Sequence, residues 1–363
     1  FIASIVIMSS LTDWYSTKRI FLLSCIMTAV SSILFALFAR DYLSAIIFRF
    51  LIGFSIGGTY PPGLKLIAEQ LPDELKGRSM GIFIAAGSIS HAISLSLTGF
   101  ISYYSDVYTA FFVVALFPVI GVLLGLIALR KIKEIVSKRS PGEFKKEVLK
   151  NKPAMLMITG YSAHVWELEG MRAWTPAFLT ACIVYAGWEL DSAVKLSSNI
   201  SSLFFIIGVF SAIIGGYLSD IIGRTKVILI MSIISIISSF IFGWLLDTYL
   251  WLVILVGFVY GFSIIADSPA YSTGLAELVA PSHLGTTLAF RSFLGFGAGA
   301  LVPTAFGYIL DLSNEGYSKA NVAYLTNWGW AYTILGIGAI VGPIVILTLR
   351  AMPDSRRMAK GKR

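Results

Sequence analysis

The sequence predicts an all-α polytopic membrane protein, and three observations carry that prediction. Of 363 residues, 56% are hydrophobic and only 13% charged, about half the charged share of a soluble domain, so a water-soluble fold of this size would lack the side chains to cover its surface. The mean hydropathy is +0.81. The apolar residues are gathered in long stretches, and about 20 consecutive apolar residues cross the hydrocarbon of a bilayer as a helix. The two cysteines, Cys25 and Cys182, both lie in such stretches, which leaves no disulfide framework and no C-x-x-C site.

The elements follow in order. Residues 1–11 are apolar but at 1.5 Å per residue cover only about half of a ~30 Å core; they read as the end of a helix. The chain opens on Phe1, with no basic leader or cleavage site. Ten stretches long enough to span come next. Residues 20–39 run from Lys18-Arg19 to Arg40-Asp41, 43–68 stop at Glu69, and 79–104 lie between Arg78 and Asp106. Residues 108–130 end on the central linker, 154–184 open after Lys152-Pro153, and 194–218 stop at Asp220. Residues 227–246 lie between Lys226 and Asp247, 249–276 end at Glu277, 285–310 close at Asp311, and 326–350 end at Arg350.

Most connections are short. The exception, Arg130 to Lys152, carries nine basic and three acidic residues and divides the chain near its middle. It lacks the interleaved aromatics of a nucleic-acid site and reads as a solvated linker. Alternating the loops across the bilayer places Lys18, Arg19, Lys76, Arg78, the linker, Arg224, Lys226 and the tail on one side, and only Arg40, Lys195 and Lys319 on the other. Positive loops stay in the cytoplasm. The net charge of +8 is therefore an orientation signal, and the expected location is the plasma membrane, with linker and C-terminus cytoplasmic.

The chain also repeats. GYLSDIIGRTK, starting at Gly216, aligns with SSLTDWYSTKR, starting at Ser9, which places Asp220 over Asp13 at an offset of 207 residues. AELVAPSHLGT aligns with AEQLPDELKGR and places Glu277 over Glu69 at an offset of 208. The pattern G-x-L-x-D-x-x-G-R-x-K resembles the loop motif of the major facilitator superfamily. The C-terminal copy matches at Gly216, Leu218, Asp220, Gly223, Arg224 and Lys226, whereas the N-terminal copy keeps Leu11, Asp13, Lys18 and Arg19 but has Ser9 and Ser16 in place of glycines. Arg49-x-x-x-Gly53-x-x-x-Gly57 resembles the fourth-helix motif of the same superfamily. The resemblance covers essentially the whole chain. It implies two six-helix bundles, here an N-terminal bundle over 1–130, a linker over 131–152, a C-terminal bundle over 153–351 and a basic tail over 352–363. By the same repeat, residue 1 maps onto residue 208 while the second half starts near 153, so roughly 55 residues, the first helix and the outer half of the second, are expected before Phe1.

Charges inside the apolar stretches carry the functional reading, because each costs at least ~2.5 kcal/mol on insertion scales. The densest group is His164, Glu167, Glu169 and Arg172 in residues 154–184. The resemblance makes this stretch the seventh helix, one of four that line the superfamily's central cavity. At 100° per residue His164, Glu167, Met171 and Trp174 share one face, while Glu169 and Arg172 share another, spaced to pair. Glu167, with His164, is a candidate for binding substrate or a coupling proton, and Trp166 and Trp174 for a stacking wall. Packing by Glu169 and Arg172 is the alternative. Residues 249–276, the family's tenth helix, add Tyr260, Asp267 and Tyr271, with Asp267 just before Ser268-Pro269, where proline frees a backbone carbonyl. Residues 43–68 hold Arg49, Tyr60, Pro61, Pro62 and Lys65. In the resembling motif the arginine is associated with proton-coupled members. Lys65, four residues before Glu69, reads as its structural partner. Asp13 and Asp220 sit where they can meet helix N-termini and neighbouring arginines, and so latch one side shut.

No Walker loop, metal-ligand cluster or H-E-x-x-H appears, so neither an ATP-driven pump nor an enzyme is expected, and no cofactor. The fifth helix lacks the G-x-x-x-G-P-x-x-G pattern that marks drug/proton antiporters of the superfamily. The resulting expectation is a secondary transporter working by alternating access. Its partners are a small polar or anionic organic solute, a coupling proton and the lipid bilayer, with no nucleic acid. Export by the same fold and a solute receptor without flux are the rival readings.

Overall fold

The computed structural model describes residues 2–136, 148–315 and 322–362. Residues 137–147 of the expected linker, and Lys319 among the expected outer charges, lie outside the described residues. The described chain is all-α, with helices α1 (Ile2–Leu11), α2 (Thr17–Phe38), α3 (Tyr42–Ile56), α4 (Tyr60–Gln70), α5 (Asp73–Tyr104), α6 (Val107–Ala128) and α7 (Lys152–Tyr185). After these come α8 (Leu190–Ile222), α9 (Arg224–Phe242), α10 (Leu250–Ala266), α11 (Ser268–Leu278), α12 (Leu284–Ser313), α13 (Gly329–Ala339) and α14 (Val341–Ala351). Eight helical stretches among the described residues are long and apolar enough to cross a membrane. Two more, α5 and α7, match them in length at 32 and 34 residues but are more polar, and α7 carries the four ionisable groups that drew attention in the sequence.

Three stretches expected to be continuous are broken, each at a proline. Pro61 and Pro62 have no N–H for the carbonyls a turn below, so residues 43–68 divide into α3 and α4 around Gly57–Thr59. Asp267, two residues before Pro269, separates α10 from α11, and Ile340, three before Pro343, separates α13 from α14. Helix starts are capped where the sequence supplies acceptors. Asp41 accepts from Ser44 N at 2.9 Å in a capping box, and Asp106 accepts from Thr109 Oγ1 at 2.6 Å and Tyr108 N at 2.8 Å. These bonds hold both carboxyls below the ordinary carboxylate range, Asp41 chiefly through the Ser44 backbone and Asp106 chiefly through the Thr109 hydroxyl. Their capping is thus complete at neutral pH and is lost only as pH falls through those lowered values.

Packing groups the chain into two units. The first comprises Phe1–Lys76, Ser90–Asn151 and Val279–Phe293. In it α2 packs on α3, α4 and α6. A Cβ on Gly57 would lie 2.7 Å from Ile5 N, so only glycine lets α1 and the α3–α4 break approach this closely.

The second unit comprises Gly77–Ile89, Lys152–Leu278 and Leu294–Arg363. Here α7 packs against α8, α10, α11, α13 and α14. Its aromatic core has Phe178 at 4.9 Å from Phe242, 5.2 Å from Tyr332 and 5.5 Å from Trp328, centroid to centroid. Most of these contacts are edge-to-face, the favoured arrangement for ring quadrupoles. At the α8–α10 crossing, a Cβ on Gly215 would lie 2.8 Å from Ala266 Cα and closer still to its carbonyl. Gly215→Ala is therefore expected to push the helices apart and cost about 1–3 kcal/mol, measured as a lower melting temperature of the purified protein.

Outward faces carry large apolar side chains such as Phe50, Leu124, Ile127 and Leu301. In water that surface would be an aggregation hazard; in hydrocarbon it is the solvent-matched face.

Candidate functional site

In the second unit α7, α9 and the start of α11 place six ionisable or hydroxyl groups near the α10–α11 junction in two sets of contacts. Asp267 falls at the helix break, which turns its carboxyl inward, and it is buried. Its Oδ1 lies 3.0 Å from His164 Nδ1, and its Oδ2 accepts from Ser232 Oγ at 3.1 Å. The His164–Asp267 contact is one of ion-pair distance, and His164 Nε2 lies 2.7 Å from the Ser268 hydroxyl. One helical turn along α7, Glu167 is equally buried and accepts from Ser235 Oγ at 3.0 Å. Its other oxygen, Oε1, has no hydrogen-bond partner among the described residues, and no lysine or arginine there lies within ion-pair distance of it. Ser232 and Ser235, three apart on α9, thus bridge toward the two acids in turn. The Tyr271 ring stands 5.7 Å from the His164 ring, and Tyr260, fully buried, is a neighbour of Glu167.

Glu169 and Arg172 occupy the other face of α7, as their spacing predicts, paired at 3.0 Å with both side chains 32% exposed. Arg172 lines a pocket between α7, α8 and α10. The two tryptophans do not line it. Trp166 donates to Ile334 O at 3.4 Å and packs on Gly338; Trp174 donates to Pro303 O at 3.0 Å and stacks on Phe306. Trp166 faces α13 and Trp174 faces α12, where each indole N–H meets a backbone carbonyl and the rings pack between helices rather than lining the pocket.

The remaining candidates lie in the first unit. Arg49 is exposed, with its guanidinium 4.7 Å above the Phe35 ring centroid, and the structure brings no other site residue to it. Tyr60 starts α4, and its ring lies 5.9 Å from the guanidinium of Arg291. Arg291 is a residue the sequence reading missed: it is fully buried in α12, and the rule that flags charges in apolar stretches applies to it as it does to Arg172.

The two loop motifs are built differently. In the first unit Asp13 lies in the turn after α1 and accepts from Gly285 N at 2.9 Å, from Thr286 N at 2.7 Å and from the Thr286 hydroxyl. These are orphan donors at the start of α12, where the helix dipole also favours an anion. Lys65, fully buried, completes the shell at 2.6 Å; Glu69, its expected partner, lies farther off at 3.8 Å and is held by Thr17. Lys18 donates to Ile132 O at 3.1 Å and Arg19 pairs with Glu134 at 2.8 Å, both on the linker's first residues.

In the second unit Asp220 lies inside α8, two residues before its end, and accepts from Arg78 N at 2.8 Å and Gly77 N at 3.2 Å. Gly216 and Gly77 permit that approach, since a Cβ on Gly216 would meet the Gly77 backbone. Arg224 is buried and joins Asp220 to Glu277, the latter at 2.8 Å, with Ser219 at 2.8 Å. Gly223 turns from α8 to α9 at φ 103, in the left-handed region glycine favours, while Lys226 is exposed. The tail closes over this network: Ala359 N donates to Glu277 at 3.0 Å, and Lys362 Nζ to Asp220 O at 3.0 Å. Among the described residues no group of three or more metal-ligating side chains occurs.

Comparisons with known proteins agree with this architecture. The family model described as Major Facilitator Superfamily matches residues 1–286 and, in a second match, 187–363. The chain is 25% identical over 344 residues to a probable 4-methylmuconolactone transporter of Cupriavidus pinatubonensis, covering 90% of this chain and 76% of the relative. It is 23% identical over 358 residues to a hexuronate transporter of Bacillus subtilis, covering 92% and 81%. Among solved structures, the human organic anion transporter TETRAN superposes with a TM-score of 0.71 at 16% identity, covering 95% of this chain and 80% of that one; this likeness is one of fold.

Proposed function

The chain belongs to the Major Facilitator Superfamily, and on that premise we propose that it is a secondary active transporter of a small organic anion, driven by proton symport. The observation that carries the reading is the buried set of Asp267, His164 and Glu167, whose two carboxyls each accept from a serine of α9. Carboxyl and imidazole groups held away from water persist in a membrane protein where they do work, and exchanging a proton is the work this set is equipped for. Arg172, on the other face of α7, is the counter-charge for the anion; the named substrates of both relatives, a muconolactone and a hexuronate, support that class.

Movement would follow alternating access, with the two halves of the repeat, 1–130 and 153–351, rocking about the site. Asp13 and Asp220, each resting on backbone N–H groups of another helix, are suited to latch one side, because such contacts are strong when made and break without unfolding an element. The basic residues near them put that side in the cytoplasm and the protein in the plasma membrane.

The test is uptake into proteoliposomes of a panel of carboxylates and neutral sugars, with and without an inward-acid pH gradient. Carboxylate accumulation that collapses when the gradient is dissipated is the expected result. Uptake independent of any gradient would remove the coupling, and saturable binding without flux would make the protein a receptor.

A further inference from the structure

Beyond α14, Pro353–Gly361 packs on α8, α11 and α14, mostly in 3₁₀ turns. Its two faces differ: Ser355, Met358 and Ala359 are buried, whereas Arg356, Arg357 and Lys360 are exposed. A glycine makes the socket, since Met358 Sδ lies 3.1 Å from where a Cβ on Gly274 of α11 would stand. Two hydrogen bonds fix the segment to the Asp220 network, from Ala359 N to Glu277 Oε2 and from Lys362 Nζ to the Asp220 carbonyl, both at 3.0 Å. Ala359 and Lys360 adopt φ of 46 and 56, left-handed values that a Cβ disfavours. Such a conformation persists only where its surroundings hold it, so the tail docks through specific contacts that work against a local cost.

The internal repeat isolates what the tail adds. Thr17 and Arg224 are the first residues of α2 and α9, and each reaches the glutamate near the end of a later helix: Thr17 Oγ1 to Glu69 Oε1 at 3.1 Å, Arg224 Nη2 to Glu277 Oε1 at 2.8 Å. The second carboxylate oxygen distinguishes them. Glu69 Oε2 has no hydrogen-bond partner among the described residues, whereas Glu277 Oε2 takes the tail's N–H beside Arg224 Nε at 3.4 Å. With both oxygens held, Glu277 fixes Arg224, and Arg224 fixes the Asp220 carboxylate that rests on Gly77 N and Arg78 N.

We propose that the tail is a reversible clasp on this latch: docked, it holds Glu277, Arg224 and Asp220 in the closed arrangement, and undocked, it lets the latch open more readily. The proposal rests on the latch reading of Asp220 and adds its regulation. Coupling between two such equilibria is reciprocal: the factor by which the docked tail favours closure is the factor by which closure favours docking.

Spin labels on Arg78→Cys and Lys226→Cys, both exposed positions, report the latch by their separation in the whole chain with Cys25 and Cys182 replaced by alanine. Hydrogen exchange of the tail peptide in the otherwise unaltered chain reports docking. Met358→Ser, which empties the socket, and Lys362→Ala, which removes the donor to the Asp220 carbonyl, are each expected to raise the ratio of open to closed latch about fivefold, the low end of coupling between sites. Ala359→Gly relieves a left-handed residue and keeps the N–H, so it should lower that ratio. Asp220→Asn should lengthen the separation and, by reciprocity, speed exchange in the tail. If Asp220→Asn lengthens the separation but neither Met358→Ser nor Lys362→Ala does, the latch stands and the clasp is overturned. If Asp220→Asn opens the latch without changing exchange in the tail, the two are uncoupled and the clasp is overturned as well. An unchanged separation in Asp220→Asn removes the latch itself, and the clasp with it.

Discussion

Lys65→Ala is expected to destabilise the protein by about 3–5 kcal/mol, the range for stripping one partner from a buried ion pair. Lys65 and Asp13 are both fully buried and lie 2.6 Å apart. Without the ammonium, Asp13 keeps Gly285 N, Thr286 N and the Thr286 hydroxyl but no neutralising cation, and Thr12 O loses its donor at 2.7 Å. Asp13→Asn is costly for a different reason: one carboxylate oxygen becomes an NH₂ facing groups that are all donors. Both single variants should melt several degrees lower in detergent. The double variant Asp13→Asn/Lys65→Met should lose less than the sum, because the charge whose burial is penalised is gone. Strict additivity would mean that the two residues act separately, and wild-type melting of Lys65→Ala would mean that the pair contributes nothing.

How far the sequence could be read depended on the range of the interaction. Hydropathy is local, so the spanning stretches were legible to within a few residues, and Glu169–Arg172 was legible because three-residue spacing on a helix fixes proximity. The break at Asp267 was legible from Pro269, whereas those at Gly57–Thr59 and Ile340, near Pro61 and Pro343, were not read; apolar composition says nothing about which carbonyls lose a partner. Contacts between distant helices were not legible. His164 and Asp267 were each singled out, yet their pairing at 3.0 Å follows from how α7 meets the α10–α11 junction. Spacing paired Lys65 with Glu69, and the two do meet at 3.8 Å, but the shorter contact, to Asp13 52 positions away, comes from tertiary packing. Trp166 and Trp174 sat on promising positions and turned to backbone carbonyls instead. Ser232 and Ser235 escaped notice because a hydroxyl in an apolar helix is usually satisfied by its own backbone; the signal was their three-residue spacing on one face of α9.

Asp267→Asn is expected to abolish proton-driven accumulation while leaving the protein folded. Asparagine keeps an oxygen that can accept from Ser232 Oγ, so the hydrogen bond at 3.1 Å has a neutral acceptor, but it cannot hold the charge that faces His164 at 3.0 Å. For symport of one proton per monovalent anion, a gradient of one pH unit supports about tenfold accumulation, the equivalent of 1.4 kcal/mol. In proteoliposomes that ratio should fall from about ten toward one, while exchange of labelled for unlabelled solute continues. Exchange is the informative control: it needs the site to bind and reorient but not to give up its proton, so a merely misfolded variant loses both. Glu167→Gln should show the same separation, because Glu167 is buried one turn from His164 on α7 and, among the described residues, has no cation to hold its charge. If both variants retain tenfold accumulation, the proton is carried elsewhere, and Arg291 with Tyr60 in the first unit becomes the next pair to test. If only Asp267→Asn fails, the working unit is the His164–Asp267 couple, and Glu167 is a neighbour that sets the polarity around it.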